Sequence, residues 1–304
     1  MHLLLTAGFP TVESGEISAQ SQHSSQSQHS REKGTPMSEI PQSTAELLTQ
    51  VTEAVRLAGQ CLAGRFSTAA RTDGAEGILA ALAANDDAVL DVLKAPLLAA
   101  RPGSGWVEDE LEGGPLPAGE WWVVDPAEGN INHIHGLDEW AVTATLVRDN
   151  TPVLTVVHLP LTGDTYTALA GHGALLNGTP LRPSAKTVLA AGLVGTGQAR
   201  PGETGDTHRR IGESVTAMLD AALVVRVSVP ATLQLIHVAA GRTDAFWQYS
   251  DVRSGLLAGA LLVQEAGGTV SDTHGRPWSL AAGDFLATAS ALHAAAVGVL
   301  SAVR

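Results

Sequence analysis

Between residues 121 and 176 the chain alternates short apolar runs with turn residues, and this alternation limits the fold more than any other feature of the sequence. The apolar runs are rich in β-branched and aromatic side chains, which favour strands. They predict strands at 121–124, 140–147, 153–159, 165–169 and 174–176. Turn residues such as Asp149-Asn150 separate the runs, so consecutive strands are expected to pair as an antiparallel meander. The first strand is expected to end at Asp125-Pro126, because proline cannot continue a hydrogen-bonded ladder.

Helical patterns precede the meander. Ser43 and Glu46 form a capping-box pattern that opens a predicted helix over about 44–64. Residues 75–100 are Ala- and Leu-rich and favour a helix, but the stretch around Asn85-Asp86 contains residues that favour caps and turns. We therefore predict that a helix starts at Asn85 or Asp86.

After the meander, helices and strands alternate along the chain. The pattern predicts helices at 207–219, 231–240 and 252–266, and strands at 189–195, 223–229, 245–247 and 269–270. This mixture indicates an α/β (α+β) fold class with two stacked lobes. The polar, Gln/Ser-rich residues 1–36 predict a disordered N-terminal tail, followed by an α+β lobe at 37–185 and an α/β lobe at 186–304.

Bulk composition excludes several classes of protein. The 304 residues carry a formal net charge of −13 and no run of Lys and Arg, which argues against a nucleic-acid partner. No apolar run approaches the roughly 18 to 20 residues that span a bilayer, so no membrane association is expected. The single cysteine, Cys61, can form no internal disulfide, which favours a cytoplasmic location.

Three acidic clusters could carry chemistry. They are 108–110, Asp125 with Glu128, and Asp251, and each lies next to the end of a predicted element. Converging carboxylates need cations to stay ionised in a dry pocket, and oxygen ligands without a Cys cluster favour Mg²⁺ or a similar hard ion such as Mn²⁺. Taken singly, each cluster is better explained as a group of surface acids, because isolated Asp and Glu side chains are nearly always exposed.

Three segments carry a resemblance to a known family. Residues 125–136, which begin Asp-Pro-Ala-Glu-Gly-Asn-Ile-Asn-His, are similar to the inositol monophosphatase signature Asp-Pro-hydrophobic-Asp-Gly-Thr-Thr-Asn-Phe. Residues 238–247 resemble the stretch before that family's last metal ligand, and residues 251–272 resemble its second signature. The order and spacing agree over about 45–285. The resemblance implies a layered α-β-α-β-α sandwich and Mg²⁺-dependent hydrolysis of a small anionic phosphoester, with homodimers common in the family.

The resemblance also implies roles for individual residues. Those implied as metal ligands are Asp109, Asp125, the Ala127 carbonyl, Glu128 and Asp251. Those implied in catalysis are Asp86, with Asp87 as the alternative match, together with Asp109 and Asn130. Those implied in substrate binding are Gly129, Asn130, Pro230 and Ala231.

The site departs from the family pattern at several positions. Asp109 stands where the family has a glutamate, and Glu128 stands where the family has an aspartate. Asn130 replaces a threonine whose hydroxyl helps to orient the attacking water. The family's Gly-Ser-Ala-Ala substrate turn aligns with residues 229–232, so myo-inositol phosphate is not expected as the substrate. His133 and His135 alternate and could face one site or serve the structure alone.

These departures leave three functional hypotheses. The leading one is a metal-dependent phosphomonoesterase acting on a small phosphorylated metabolite. The alternatives are an isomerase, cyclase or lyase that reuses the scaffold, and a non-catalytic binding protein.

Overall fold

The computed structural model describes residues 42–69, 74–109, 113–199, 202–203, 205–249 and 253–303. The predicted disordered tail at 1–36 and the predicted metal ligand Asp251 lie outside the described residues. The described residues fall in one compact unit, Met37–Arg304. Among them, no helix combines the length and apolarity that crossing a lipid bilayer requires.

Within the part of the chain that the structure describes there are seven α-helices, and the longer ones form where apolar residues recur with helical spacing. They are α1 Gln42–Arg65, α2 Gly74–Ala100, α3 Asn130–Ile134, α4 Gly205–Ala221, α5 Ala231–Ala239, α6 Arg253–Glu265 and α7 His293–Leu300. Short 3₁₀ helices occupy Leu189–Ala191 and Ser290–Leu292.

The strands of the described residues form two sheets. The first is ordered β1 Gly105–Trp106, β2 Glu120–Glu128, β3 Ala141–Arg148, β4 Thr151–Leu159, β5 Asp164–Leu169, β6 Gly173–Leu176 and β7 Thr179–Pro180. From β2 to β7 its neighbours are antiparallel, which confirms the predicted meander. The second sheet is ordered β11 Thr269–Ser271, β12 Phe285–Thr288, β10 Ala245–Gln248, β8 Leu193–Thr196 and β9 Val224–Val227.

The elements stack in five layers. Helices α1 and α2 cover one face of the first sheet, and α5 and α6 fill the space between the two sheets. Helices α4 and α7 cover the outer face of the second sheet. The layered α-β-α-β-α arrangement is therefore confirmed. The division into lobes at 185/186 stays a prediction, because α5 and α6 pack against both sheets.

Helix α2 corrects one prediction. No helix starts at Asn85 or Asp86, because α2 runs without a break from Gly74 to Ala100. The Asn85 and Asp86 side chains bond to Arg65 and Asn130 on other elements, and so do not compete for the backbone of their own helix. The capping box is also wrong: Ser43 lies inside α1, and Glu46 accepts a hydrogen bond from Gln42 at 3.0 Å.

Strand β2 corrects a second prediction. It does not end at Asp125-Pro126 but continues to Glu128, because the register shifts by one residue between Asp125 and Glu128. Proline is tolerated at such a bulge, where the ladder is interrupted.

The C-terminal half differs from the prediction at three places. The strand predicted at 189–195 is a 3₁₀ turn followed by β8, because Leu189–Ala191 closes a turn through a 2.7 Å hydrogen bond from the Gly192 N–H to the Leu189 carbonyl. Strand β12 and helix α7 were not predicted. Both are short apolar stretches whose structure depends on packing against β10, β11 and α4.

Candidate active site

A bulge in β2 brings two acidic side chains to one face of the first sheet. Asp125 pairs with Thr143 and Glu128 pairs with Ala141, so three steps along β2 match two steps along β3. In a regular strand, residues three apart point to opposite faces. The extra residue in the bulge restores the same face for Asp125 and Glu128, and on that face Glu128 lies against Thr232 of α5 and Gly255 of α6.

The two carboxyls are buried and hydrogen-bonded to each other. Asp125 is 9% exposed and Glu128 is 3% exposed. Burial raises the pKa of Asp125, and hydrogen bonds from Glu128 and from the Ala127 N–H at 3.1 Å only partly oppose this. Two acids held this way share protons readily and attract a cation that can replace those protons.

Asp86 joins this pair from α2. Its Oδ1 accepts a 2.8 Å hydrogen bond from the Asn130 Nδ2. Burial and the nearby charge of Asp125 raise the pKa of Asp86 to about 7, against the lowering effect of the Asn130 hydrogen bond. Asp87 is exposed on the same helix, so the geometry favours Asp86 over Asp87 as the upstream aspartate.

Asp109 lines a cavity together with Asp86. A cavity of about 360 Å³ is lined by Asp86, Leu90, Trp106, Val107, Glu108, Asp109, Val124 and Pro126. Glu108 is ion-paired with Lys94 at 2.8 Å, and Lys94 also lies 5.2 Å from the centre of the Trp106 ring. Asp109 and Glu108 thus share this cavity with Asp86, and the ion pair with Lys94 holds the Glu108 carboxylate.

The loop after β2 fits closely against the start of α5. Gly129 has φ of +84°, and a Cβ atom there would lie 2.7 Å from the Glu139 carbonyl and 3.0 Å from the Pro230 ring. Ala231 opens α5, and the Thr232 N–H points at Glu128 Oε1 over 3.4 Å. Gly129, Asn130, Pro230 and Ala231 therefore line one side of the acidic cluster, while the roles proposed for them stay predictions.

Some site residues were missed by sequence reasoning. Asn85 donates to Asn130 Oδ1 at 2.8 Å, and the Thr232 N–H faces Glu128. A polar residue in an apolar helical stretch is the available signal at Asn85, but its local preference for caps and turns predicts a helix start there instead of a buried contact. The metal-binding role of the Ala127 carbonyl stays a prediction, as does that of Asp251.

A second acidic group, away from this site, is satisfied by arginines. Ligand atoms of Asp272, His274 and Asp284 lie within 4.8 Å of one another. Asp272 is paired with Arg276 at 2.5 Å, and Asp284 with Arg210 at 3.3 Å. Burial would raise the pKa of Asp272, but the backbone and guanidinium hydrogen bonds of Arg276 outweigh it and lower the pKa. Two guanidinium groups already supply the positive charge that a metal would bring.

Comparison with known proteins decides the family. The sequence profile of the inositol monophosphatase family matches residues 43–303. The chain belongs to the inositol monophosphatase family. The layered fold and the clustered acids described above are the features that the resemblance implied.

Relatives and solved structures agree with this assignment. The chain is 33% identical to an inositol-1-monophosphatase from Rhizobium meliloti over 79% of this chain and 90% of that protein. It is 37% identical to the Nus factor SuhB of Pseudomonas aeruginosa over 56% of this chain and 62% of that protein. The structure of the inositol monophosphatase from Anabaena superposes with a TM-score of 0.69 and 26% identity, over 84% of this chain and 96% of the other.

Family membership confirms the expected class of enzyme, a phosphoric monoester hydrolase. The inositol monophosphatase family is metal-dependent, typically on Mg²⁺. The donor set in this chain fits such an ion, because Asp86, Asp109, Asp125 and Glu128 offer only carboxylate oxygens, the ligands preferred by hard divalent cations.

Proposed function

We propose that this inositol monophosphatase family member is a Mg²⁺-dependent phosphomonoesterase for a small phosphorylated metabolite other than myo-inositol phosphate. The observation that carries the proposal is the buried Asp125–Glu128 pair, held on one face of β2 next to Asp86. Removing two carboxyls from water is costly unless a cation or shared protons compensate. A bound divalent cation would supply this compensation, and the buried pair therefore supports a metal-dependent enzyme.

Asp109, Asp125, the Ala127 carbonyl, Glu128 and Asp251 would hold the metal, with Mn²⁺ as an alternative to Mg²⁺. When bound by these residues, a divalent cation would neutralise phosphate charge and make a water molecule more acidic. Asp86 is the proposed proton acceptor. Asn130 holds its Oδ1, so Oδ2 is the atom to which we assign the proton from the attacking water.

The substrate side of the site supports a ligand different from inositol phosphate. Where the family signature has a turn of small residues, Pro230 lies with its ring against Gly129, at 3.0 and 3.1 Å from the Cβ position. A proline ring is rigid and lacks the N–H that a small polar residue would offer. We therefore expect recognition of the phosphate to be retained and recognition of the polyol to be changed.

The experiment is phosphate release from a panel of sugar phosphates, nucleotides and inositol 1-phosphate, each with Mg²⁺, with Mn²⁺ and with chelator. We expect metal-dependent release, fastest from a substrate other than inositol 1-phosphate. If no substrate releases phosphate, the proposed phosphatase activity is refuted. If inositol 1-phosphate releases phosphate fastest, only the proposal of a different substrate is refuted.

A pair of variants tests the metal site itself. Asp125→Asn keeps the shape of the side chain but removes its charge, so we expect turnover to fall by about 100-fold or more. Asp220→Asn is the matched control, because Asp220 is an exposed acid at the end of α4, and its turnover should stay within about twofold. An Asp125→Asn enzyme with normal metal-dependent turnover would remove Asp125 from the site. Homodimerisation and the cytoplasmic location also stay predictions.

A further inference from the structure

Three elements meet at the amide of Asn85, which is 4% exposed. The Arg65 Nε at the end of α1 donates to Asn85 Oδ1 at 2.8 Å. The Asn85 Nδ2 contacts Asn130 Oδ1 at 2.8 Å and His133 Nδ1 at 3.0 Å, both on α3. The His133 Nε2 contacts the Leu62 carbonyl of α1 at 3.0 Å.

The direction of every hydrogen bond follows from groups that can play only one role. Arg65 can only donate, so the oxygen of Asn85 faces it and the Nδ2 faces α3. The Leu62 carbonyl can only accept, so the His133 proton is on Nε2 and Nδ1 accepts from Asn85. Both ends of the network assign the same orientation to the Asn85 amide.

The orientation passes on to Asn130. Since Asn130 Oδ1 accepts from Asn85, its Nδ2 must face the other way, and it donates to the Leu82 carbonyl at 3.1 Å and to Asp86 at 2.8 Å. Both hydrogens of that Nδ2 are then in use. The Asn130 amide therefore holds Asp86 and has no further hydrogen to give to a water molecule.

We propose that Asn85 and His133 are positioning residues that lock the Asn130 amide so that it orients Asp86. The role of Asp86 in this inference rests on the proposed function, whereas the lock, meaning the fixed orientation of the Asn130 amide, rests on hydrogen bonds alone. His133 is 3% exposed and packs edge-on against Trp140 and Phe66, with ring centroids 4.8 and 5.3 Å away. Its ring is thus fixed by aromatic contacts as well as by hydrogen bonds.

The network explains two departures from the family signature together. Asn130 stands where the signature has its first threonine, and His133 stands where the signature has phenylalanine. A threonine hydroxyl turns freely and can donate to an aspartate without help, whereas an amide has two distinguishable ends and must be held in one orientation. Asn85 binds both replacements through the same nitrogen, so the two changes form one linked arrangement.

The first experiment is a double-mutant cycle in the full chain. Asn85→Asp keeps the shape of the side chain and the Arg65 contact but offers only acceptors to Asn130. The Asn130 amide is therefore expected to flip, so that its Oδ1 and Nδ2 exchange places. We expect kcat to fall by about tenfold or more while KM changes by less than about threefold. In an Asn130→Thr background the same substitution should lower kcat by less than about threefold. An equal loss in both backgrounds, or no loss in either, would overturn the proposal.

Leu93→Ala is the control for lost stability. Leu93 is fully buried on the same helix but packs in the apolar core under the first sheet. It should lower the unfolding temperature without changing kcat. If Leu93→Ala lowers kcat as much as Asn85→Asp at equal loss of stability, the effect is structural and the proposal is wrong.

A spectroscopic experiment separates this inference from the proposed function. ¹⁵N NMR of the whole protein should show His133 protonated at Nε2 alone, and Asn85→Asp should add a proton at Nδ1 and shift both Asn130 side-chain amide signals. Leu93→Ala should leave these signals in place. Unchanged Asn130 and His133 signals in Asn85→Asp would overturn the lock, whether or not any variant releases phosphate.

Discussion

At the scale of single residues, Gly129 shows how tightly the site is built. Its φ of +84° lies in the left-handed region, and its Cα faces the Glu139 carbonyl and the Pro230 ring. Glycine is needed here both for the backbone angle and for the space. The close approach sets the distance between the loop after β2 and the start of α5.

Replacing this glycine separates the two requirements. Gly129→Ala should lower the free energy of unfolding by about 2 to 4 kcal/mol, because backbone strain and steric overlap add. Gly163→Ala is the matched control, since Gly163 has φ of +77° with no atom within 4 Å of the added carbon, and it should lose only about 1 kcal/mol. Urea unfolding measures both. Equal losses would mean that the contacts with Glu139 and Pro230 relax at no cost.

At the scale of elements, the contact between α5 and α6 positions one wall of the site. A Cβ on Gly259 of α6 would overlap the Leu235 side chain of α5, with its Cγ only 2.8 Å away. The helices also meet where the Thr232 hydroxyl donates to the Gly255 carbonyl at 3.1 Å. This close packing brings the start of α5 against Glu128.

Alanine at two helical glycines should act with opposite sign. Gly259→Ala should destabilise the protein by about 1 to 3 kcal/mol, because the overlap with Leu235 outweighs the better helix propensity of alanine. Gly298→Ala, in α7 with no atom within 4 Å of the added carbon, should stabilise by up to about 1 kcal/mol. Thermal unfolding should show shifts in opposite directions. A higher melting temperature for Gly259→Ala would contradict the packing.

At the scale of the whole molecule, buried histidines link stability to pH. Burial, with smaller contributions from Arg242 and Arg226, lowers the pKa of His237 to about 4. Burial likewise lowers the pKa of His133 and His158. These groups bind protons more readily in the unfolded chain, where a histidine pKa is about 6.5.

The sign of the pH dependence follows from the lowered pKa of His237. Above about pH 6.5 both states are unprotonated and His237 contributes no slope. Between about pH 6.5 and pH 4 the unfolded state takes up more protons than the folded state, so the free energy of unfolding should fall, and this group should account for about 2 kcal/mol of the loss between pH 7 and pH 5. Urea unfolding at pH 7 and pH 5 should show this loss, and His237→Gln should reduce it. His208→Gln changes an exposed histidine and should leave the slope unchanged; an unchanged slope in His237→Gln would refute the assignment.

Local chemistry in the sequence determined several features of this protein. The meander follows from short apolar runs rich in β-branched and aromatic residues and from turns such as Asp149-Asn150, whose φ angles are +46° and +66°. The motif spacing also predicts the family and its fold. Each of these features depends on residues close together in the sequence, or on motifs that can be recognised from residue type and spacing alone.

Only the tertiary structure decided how those residues face one another. The bulge that turns Asp125 and Glu128 to one face depends on pairing with β3, and the unbroken α2 depends on Arg65 and Asn130 satisfying Asn85. Backbone pairing fixes the bulge, and hydrogen bonds between side chains 20 to 48 positions apart fix the environment of Asn85. A sequence shows the local conformational preference of each residue. A polar side chain that is hydrogen-bonded by another element no longer follows that preference, and such a bond exists only in the folded chain.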